Sequence, residues 1–201
     1  MTEPKKNGGP RTEGAPALHK LVEAGLIGAK DRILCYGCGY GADVSWFRAR
    51  KFNVQGYDPH PPFGFAELPL GKFDWVFLIY LMSRLKTEEQ RRGVLFRAAN
   101  YVRPGGYLTI VTRHGSQWAE TAGQEGRAGA AAYFRGLIEA ATFEAPETSD
   151  FETEDRALCI RFRRTGIYQP HHPIVWIDDP AMMAAVCAEL RHLHPAIALD
   201  V

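Results

Sequence analysis

The stretch RILCYGCGYGADV, residues 32–44, passes in one step from apolar to glycine-rich. Ile33, Leu34, Cys35 and Tyr36 form a short oily run that predicts a buried strand. Gly37, Gly39 and Gly41 follow at alternate positions, and ADVSWFRARK, residues 42–51, predicts a helix. A strand feeding a glycine turn feeding a helix makes a ligand cradle. The glycines permit tight turning and close approach to the backbone, and the first helical turn offers unpaired N–H groups.

The flanking segments extend the pattern. PALHKLVEAGLI (16–27) places Leu18, Leu21, Val22 and Leu26 at helical spacing. NVQGYD (53–58) predicts a second strand ending in an acid, and FDWVFLIYL (73–81) a central parallel strand, apolar on both faces. TEEQRRGVLFRAANYV (87–102) predicts a helix opened by Thr87, with Gln90 at the capping-box position. RPGG (103–106) reads as a hard stop, YLTIVTR (107–113) as another buried strand, and GRAGAAAYFRGLIEAATF (126–143) as a further helix. ALCIRFRR (157–164) alternates like an edge-ward antiparallel strand. The whole predicts an α/β, doubly wound, Rossmann-like sheet that closes in an antiparallel hairpin.

The 201 residues are enough for one domain with a small appendage. Residues 1–15, rich in Gly, Pro, Lys and Thr, read as a disordered tail, 16–164 as the domain, and 165–201 as a C-terminal extension. The extension holds an apolar helix in DDPAMMAAVCAELRHL (178–193), opened by Asp179 and Pro180 and suited to packing on the body or forming a homodimer. A net charge of +1 gives no polyanion-binding signature. No apolar run reaches the length of a membrane span and the polar start is no signal peptide, so a cytoplasmic setting is expected. Cys35 and Cys38 form a CxxC without a second ligand pair, so no metal site is expected. The pairs His171/His172 and His192/His194 have no third ligand at suitable spacing.

Asp43 bears on which ligand the cradle takes. GCGYGA can be fitted to a dinucleotide fingerprint with Asp58 as the ribose-binding acid. A pyrophosphate over the first helical turn would be repelled by Asp43, whereas a ligand carrying an ammonium and a sulfonium would be attracted. S-adenosylmethionine answers to that description. The alternative is that Asp43 complements the helix dipole.

At this point the chain resembles a known group. ILCYGCGYG is similar to the first motif of class I S-adenosylmethionine-dependent methyltransferases, and VQGYDPH to their second-strand acid. GKFDWVFLIYLMSRL resembles their fourth strand and its loop, and YVRPGGYLTIVTR their Pro-Gly-Gly turn and fifth strand, all in family order. YFRGLIEAATFEAPETSDFETEDRALCIRF fits the last helix and hairpin, so the likeness covers residues 18–164. Small bacterial and phage-type methyltransferases, including those associated with DNA phosphorothioation loci, resemble it more closely still. The resemblance implies that Tyr36, Gly37, Cys38, Gly39 and Gly41, with Asp58, Pro59 and Tyr80, contact the cofactor, Asp58 through the ribose hydroxyls.

Three departures stand out. The family's acid two residues before the first glycine is Cys35 here; Asp43 is expected to take over part of its role, with the Gly37 carbonyl accepting from the cofactor ammonium. PHPPFGFAELPLGKF (59–73) is too short for the family's helix and third strand, so that strand is expected to be missing or reduced to a proline-braced loop. Glu67 and Leu68 are then the remaining candidates for adenine contact. DPHPPF follows the second strand rather than the fourth, so it is not the DPPY motif of DNA amino-methyltransferases.

Methyl transfer from a sulfonium needs mainly alignment of the nucleophile, which makes a base optional. His114, after the fifth family strand, is the best-placed base, with Tyr80 and Ser83 as acceptor-pocket candidates and His60 beside the cofactor. Asp74, at the far end of its strand, reads as structural. Arg84, Arg113, Arg161, Arg163 and Arg164 could meet an anionic acceptor, so a nucleic acid or nucleotide-like acceptor and a small metabolite both stand. A methyltransferase is the leading reading. A catalytically degenerate binding protein of the same fold and an NAD(P)-dependent oxidoreductase are the alternatives.

Overall fold

In a computed structural model, residues 11–113, 126–138, 142–148 and 157–165 are described. They form a six-stranded sheet in the order β2-β1-β3-β4-β6-β5. Four strands, β1 (Arg32–Tyr36), β2 (Asn53–Tyr57), β3 (Phe73–Ile79) and β4 (Val102–Arg113), run parallel; β6 (Ala157–Arg163) lies antiparallel to β4, and the two-residue β5 (Glu147–Thr148) antiparallel to β6. β6 is thus the antiparallel strand towards the edge that its alternation predicted, with only the short β5 outside it.

Each strand sends alternate side chains to two cores. Leu34, Leu78, Leu108, Ile110, Ile160 and Phe162 meet α3 (Glu88–Ala99) and α4 (Gly126–Leu137) through Leu95, Ala98, Ala130 and Phe134. Ile33, Cys35, Trp75, Phe77 and Val111 meet α1 (Pro16–Glu23) and α2 (Ala42–Ala49) through Leu18, Leu21, Val44 and Phe47. Helices on both faces of the sheet make it doubly wound, as expected. The Thr87 capping box is present: Gln90 N donates to Thr87 Oγ1 and Gln90 Oε1 accepts from Thr87 N.

Two expectations are corrected here. RPGG does not stop the chain but lies inside β4, where the register with β3 slips between the Phe73–Val102 and Trp75–Tyr107 pairs. The bulge absorbs Pro104, which has no N–H to give, and Gly105 takes a φ of 76°. Residues 11–15, assigned to a disordered tail, belong to the domain: Ala15 is fully buried and Gly14 packs on Trp46. The tail assignment for 1–10 and nearly all of the C-terminal extension, including its helix, lie outside the described residues.

The shortened third-strand region is as expected. Between β2 and β3 the chain holds only a 3-10 turn, Pro61–Phe63, and no strand. Phe65 takes over part of the missing packing. Its ring lies against Gly41 and Gly56, so close that a Cβ at either glycine would come within 2.4 and 2.7 Å of it. Its carbonyl accepts from Asp58 N at 2.8 Å, which folds the loop back onto the end of β2.

Candidate functional site

The glycine turn rests on the neighbouring strand. Tyr57 O, at the end of β2, accepts from Gly37 N at 2.7 Å and from Cys38 N at 3.2 Å. Gly37, Gly39 and Gly41 all have positive φ, 71°, 55° and 78°, a region costly to residues with a Cβ. Their surroundings differ. A Cβ at Gly37 would collide with Leu81, and one at Gly41 with Phe65, whereas one at Gly39 would meet nothing within 4 Å. The bare stretch of backbone is therefore centred on Gly39, and the outer two glycines admit the protein's own side chains.

Asp58 directs that stretch. Buried at 5 % exposure, it accepts from Gly39 N at 2.9 Å through Oδ2 and from His60 N at 3.1 Å through Oδ1. Each oxygen keeps a second lone pair for a ligand hydroxyl. The carboxylate thus caps the turn and stands at the end of β2 beside open backbone. Pro59 and His60, which follow it, are exposed. Beyond them aromatic rings gather: Phe63 lies edge-on to Tyr40 at 4.8 Å and to His60 at 6.1 Å. Glu67 and Leu68, the candidates from sequence for adenine contact, are both exposed.

Asp43 is 2 % exposed and already engaged. Arg11 Nη1 donates to Oδ1 at 2.9 Å, Arg11 Nη2 pairs with Oδ2, and Ala15 N donates to Oδ1 at 2.8 Å. The same guanidinium lies over the Tyr80 ring, 5.0 Å from its centre. Tyr80 follows β3 with φ 53°, rare for a non-glycine residue, while Tyr80 N donates to Val111 O and Tyr80 O accepts from Ser83 Oγ. Such backbone strain in a pocket wall is a mark of functional positions. Arg11 had no signal in the sequence: its partner is 32 positions away.

Other candidates are placed differently. The Tyr36 ring is buried in the first core against Tyr57, 5.0 Å away, so its backbone and not its ring borders the turn. Burial raises its phenol pKa, an effect that a hydrogen bond with Arg97 opposes. Asp74 accepts from Arg32 N at 2.8 Å and from Arg103 Nε at 2.5 Å at the start of β3, away from the turn, as expected. The three arginines of β6 are spoken for: Arg161 pairs with Glu147, Arg163 with Glu144, and Arg164 donates to the Ala99 and Val102 carbonyls. The Tyr107–Arg163 register puts Arg163 and Arg164 towards the beginning of the parallel strands, whereas Arg161 is level with Thr109, Phe77 and Cys35. His114 lies outside the described residues.

Both thiols of the CxxC are kept protonated by their surroundings. Burial, then Asp58, pushes the Cys38 thiol up to about 12, and burial followed by Asp43 raises Cys35 well above its ordinary value. Among the described residues no cluster of metal-binding side chains occurs. At pH 8 a thiol titrating near 12 is ionised in about one molecule in ten thousand, so native Cys38 should resist iodoacetamide and react once the chain is denatured. Because the folded pKa lies above the unfolded 9.0, this thiol's contribution to stability is complete below pH 9 and declines as pH rises towards 12. Mass spectrometry of labelled native protein checks this; rapid labelling of Cys38 at pH 8 would contradict it.

Comparison with known proteins agrees with this geometry. The methyltransferase-domain family matches residues 11–164, and the chain belongs to it. Among curated proteins no sequence matches. The fold is that of several solved structures. One is a TehB-like S-adenosylmethionine-dependent methyltransferase from Corynebacterium glutamicum (18 % identity, 73 % of this chain and 86 % of that one, TM-score 0.55). Another is CalS10, an amino pentose methyltransferase from Micromonospora echinaspora with S-adenosylmethionine bound (19 %, 73 % and 89 %, TM-score 0.50). A third was solved in work on the conversion of a disulfide bond into a thioacetal group during echinomycin biosynthesis (20 %, 90 % and 89 %, TM-score 0.55). The chain is thus a methyltransferase-domain protein, with a fold shared by S-adenosylmethionine-dependent methyltransferases. The oxidoreductase alternative falls with that assignment. No helix among the described residues is long and apolar enough to cross a membrane.

Proposed function

We propose that this protein transfers the methyl group of S-adenosylmethionine to a small-molecule nucleophile. The observation that carries the choice of acceptor is the state of the β6 arginines. Arg161 and Arg163 are paired with acids and Arg164 with carbonyls, so none of the three is free to meet a nucleic-acid backbone. The wall at the site end is instead aromatic and apolar, with half-buried Tyr80, Leu81 and Leu85.

In this reading Asp58 accepts from the ribose hydroxyls while keeping Gly39 N–H in place. Tyr40, Phe63 and His60 flank the purine where the family's third strand would have stood. The cofactor supplies an electrophilic methyl carbon, and the chain holds that carbon in line with an incoming nucleophile. Ser83 steadies the Tyr80 carbonyl, and so the bend that follows β3.

Incubation with methyl-tritiated S-adenosylmethionine and a cell extract tests the proposal. Label is expected in an acid-soluble product that chromatography separates from the unreacted cofactor and that is missing without the added protein; label precipitating with nucleic acid in the same protein-dependent way would overturn the acceptor class. The degenerate-protein reading is favoured by Cys35 and by the packing of Leu81 on Gly37. It predicts cofactor binding without label transfer to any fraction. A thermal-shift comparison checks the cofactor itself: S-adenosylhomocysteine at 100 times its Kd should stabilise the fold by about 2.7 kcal/mol, and NAD should not.

A further inference from the structure

Arg91 is 4 % exposed and stands near the N-terminal end of α3, where the helix dipole disfavours a cation. Among the described residues no carboxylate pairs with it. Glu88 of the same helix bonds Arg92 instead, and Arg91 Nε is buried without a hydrogen-bond partner. A buried charge left without a counter-charge lowers stability, and an apolar side chain of similar volume would fill the space at less cost. Stability therefore does not account for Arg91. Its other two nitrogens show what it holds: Nη1 donates to Tyr133 Oη of α4 and Nη2 to the Leu85 carbonyl, both at 3.0 Å.

Leu85 closes the 3-10 turn Met82–Arg84, and Leu81, which opens it, lies against Gly37 of the glycine turn. Arg91 thus ties the far end of the wall that runs from Tyr80 to Leu85 to a second helix on the same face of the sheet. We propose that Arg91 is a positioning residue for methyl transfer: its guanidinium fixes the Leu81–Leu85 turn, and with it the wall on which the acceptor lies. A planar fork holds acceptors on two elements in fixed directions, which neither an apolar side chain nor the single ammonium of a lysine does. The inference rests on the methyl transfer proposed for this site. Alignment is what that reaction asks of the chain, and a displacement of about 1 Å set up at a distance slows such a step about 100-fold.

Three measurements on Arg91→Met test it: the melting temperature, the Kd of S-adenosylhomocysteine by calorimetry, and protein-dependent transfer of label from methyl-tritiated S-adenosylmethionine, with cell extract as the source of acceptor. The maximal rate is expected to fall about 10- to 100-fold. KM for S-adenosylmethionine and the Kd should change less than about threefold, and the melting temperature should stay or rise. Arg91→Lys keeps the charge but not the fork and should recover only part of the rate. Tyr133→Phe removes one anchor and should slow transfer less; added to Arg91→Met it should cause little further loss, because both act through one contact. An Arg91→Met protein that transfers label like the parent overturns the inference and leaves the methyltransferase standing. A joint fall in melting temperature, affinity and rate marks Arg91 as structural and overturns it too. A parent protein that binds S-adenosylhomocysteine but transfers no label overturns the proposed function, and this inference with it.

Discussion

Asp58→Ala is expected to reduce S-adenosylhomocysteine affinity by at least about 100-fold, since two charge-assisted hydrogen bonds of about 1.5–3 kcal/mol each are lost. The carboxylate is buried, and its oxygens hold Gly39 N at 2.9 Å and His60 N at 3.1 Å. Removing it abolishes the ribose acceptor and leaves two backbone donors unanswered, so the bare arch at Gly39 should also lose its shape. Asp58→Asn keeps one oxygen and should fall between the two. Calorimetry on the three proteins checks the order; an alanine variant that binds like the parent would dismiss Asp58 as the ribose ligand.

Gly106→Val is expected to cause the largest loss of stability. A Cβ at Gly106 would lie 2.8 Å from Asp74 O, 3.0 Å from Phe73 O and 3.1 Å from Arg103 O. All three are backbone atoms of β3 and of the bulge in β4, which cannot rotate away as a side chain would. Overpacking of this kind costs about 3 kcal/mol or more, which for a domain of this size lowers the melting temperature by roughly 6–12 °C. Gly105→Ala provides the contrast. It meets open space but keeps a φ of 76°, so only the backbone cost of about 1 kcal/mol applies. Thermal denaturation of both variants tests the pair, and equal melting temperatures would contradict it.

What the sequence revealed follows the range of the interactions involved. The β1–turn–α2 unit, the apolar β3 and the Thr87 capping box are set by neighbours a few residues apart, and all were legible. So was the loss of the third strand, because fifteen or so residues cannot hold a helix and a strand with their turns. The β4 bulge was not legible: it depends on β3 presenting carbonyls to Gly106 and on β6 pairing with it from the other side. The Arg11–Asp43 bond, the Phe65 ring on Gly41 and Gly56, and the inward turn of the Tyr36 ring are likewise long-range. The hairpin arginines, a cluster of charge in sequence, are separated in the fold, with Arg161 and Arg163 paired to acids and Arg164 to carbonyls.

The early end of the sheet at β2 has one more effect. A border strand offers unpaired amides on which another copy of the chain could add itself, the first step towards precipitation in concentrated solution. Here the loop that replaced the third strand packs Phe65 on the face of β2 at Gly56, and its Leu70 carbonyl is held by Arg32 at the start of β1. The other border, β5, is two residues long and too brief a template.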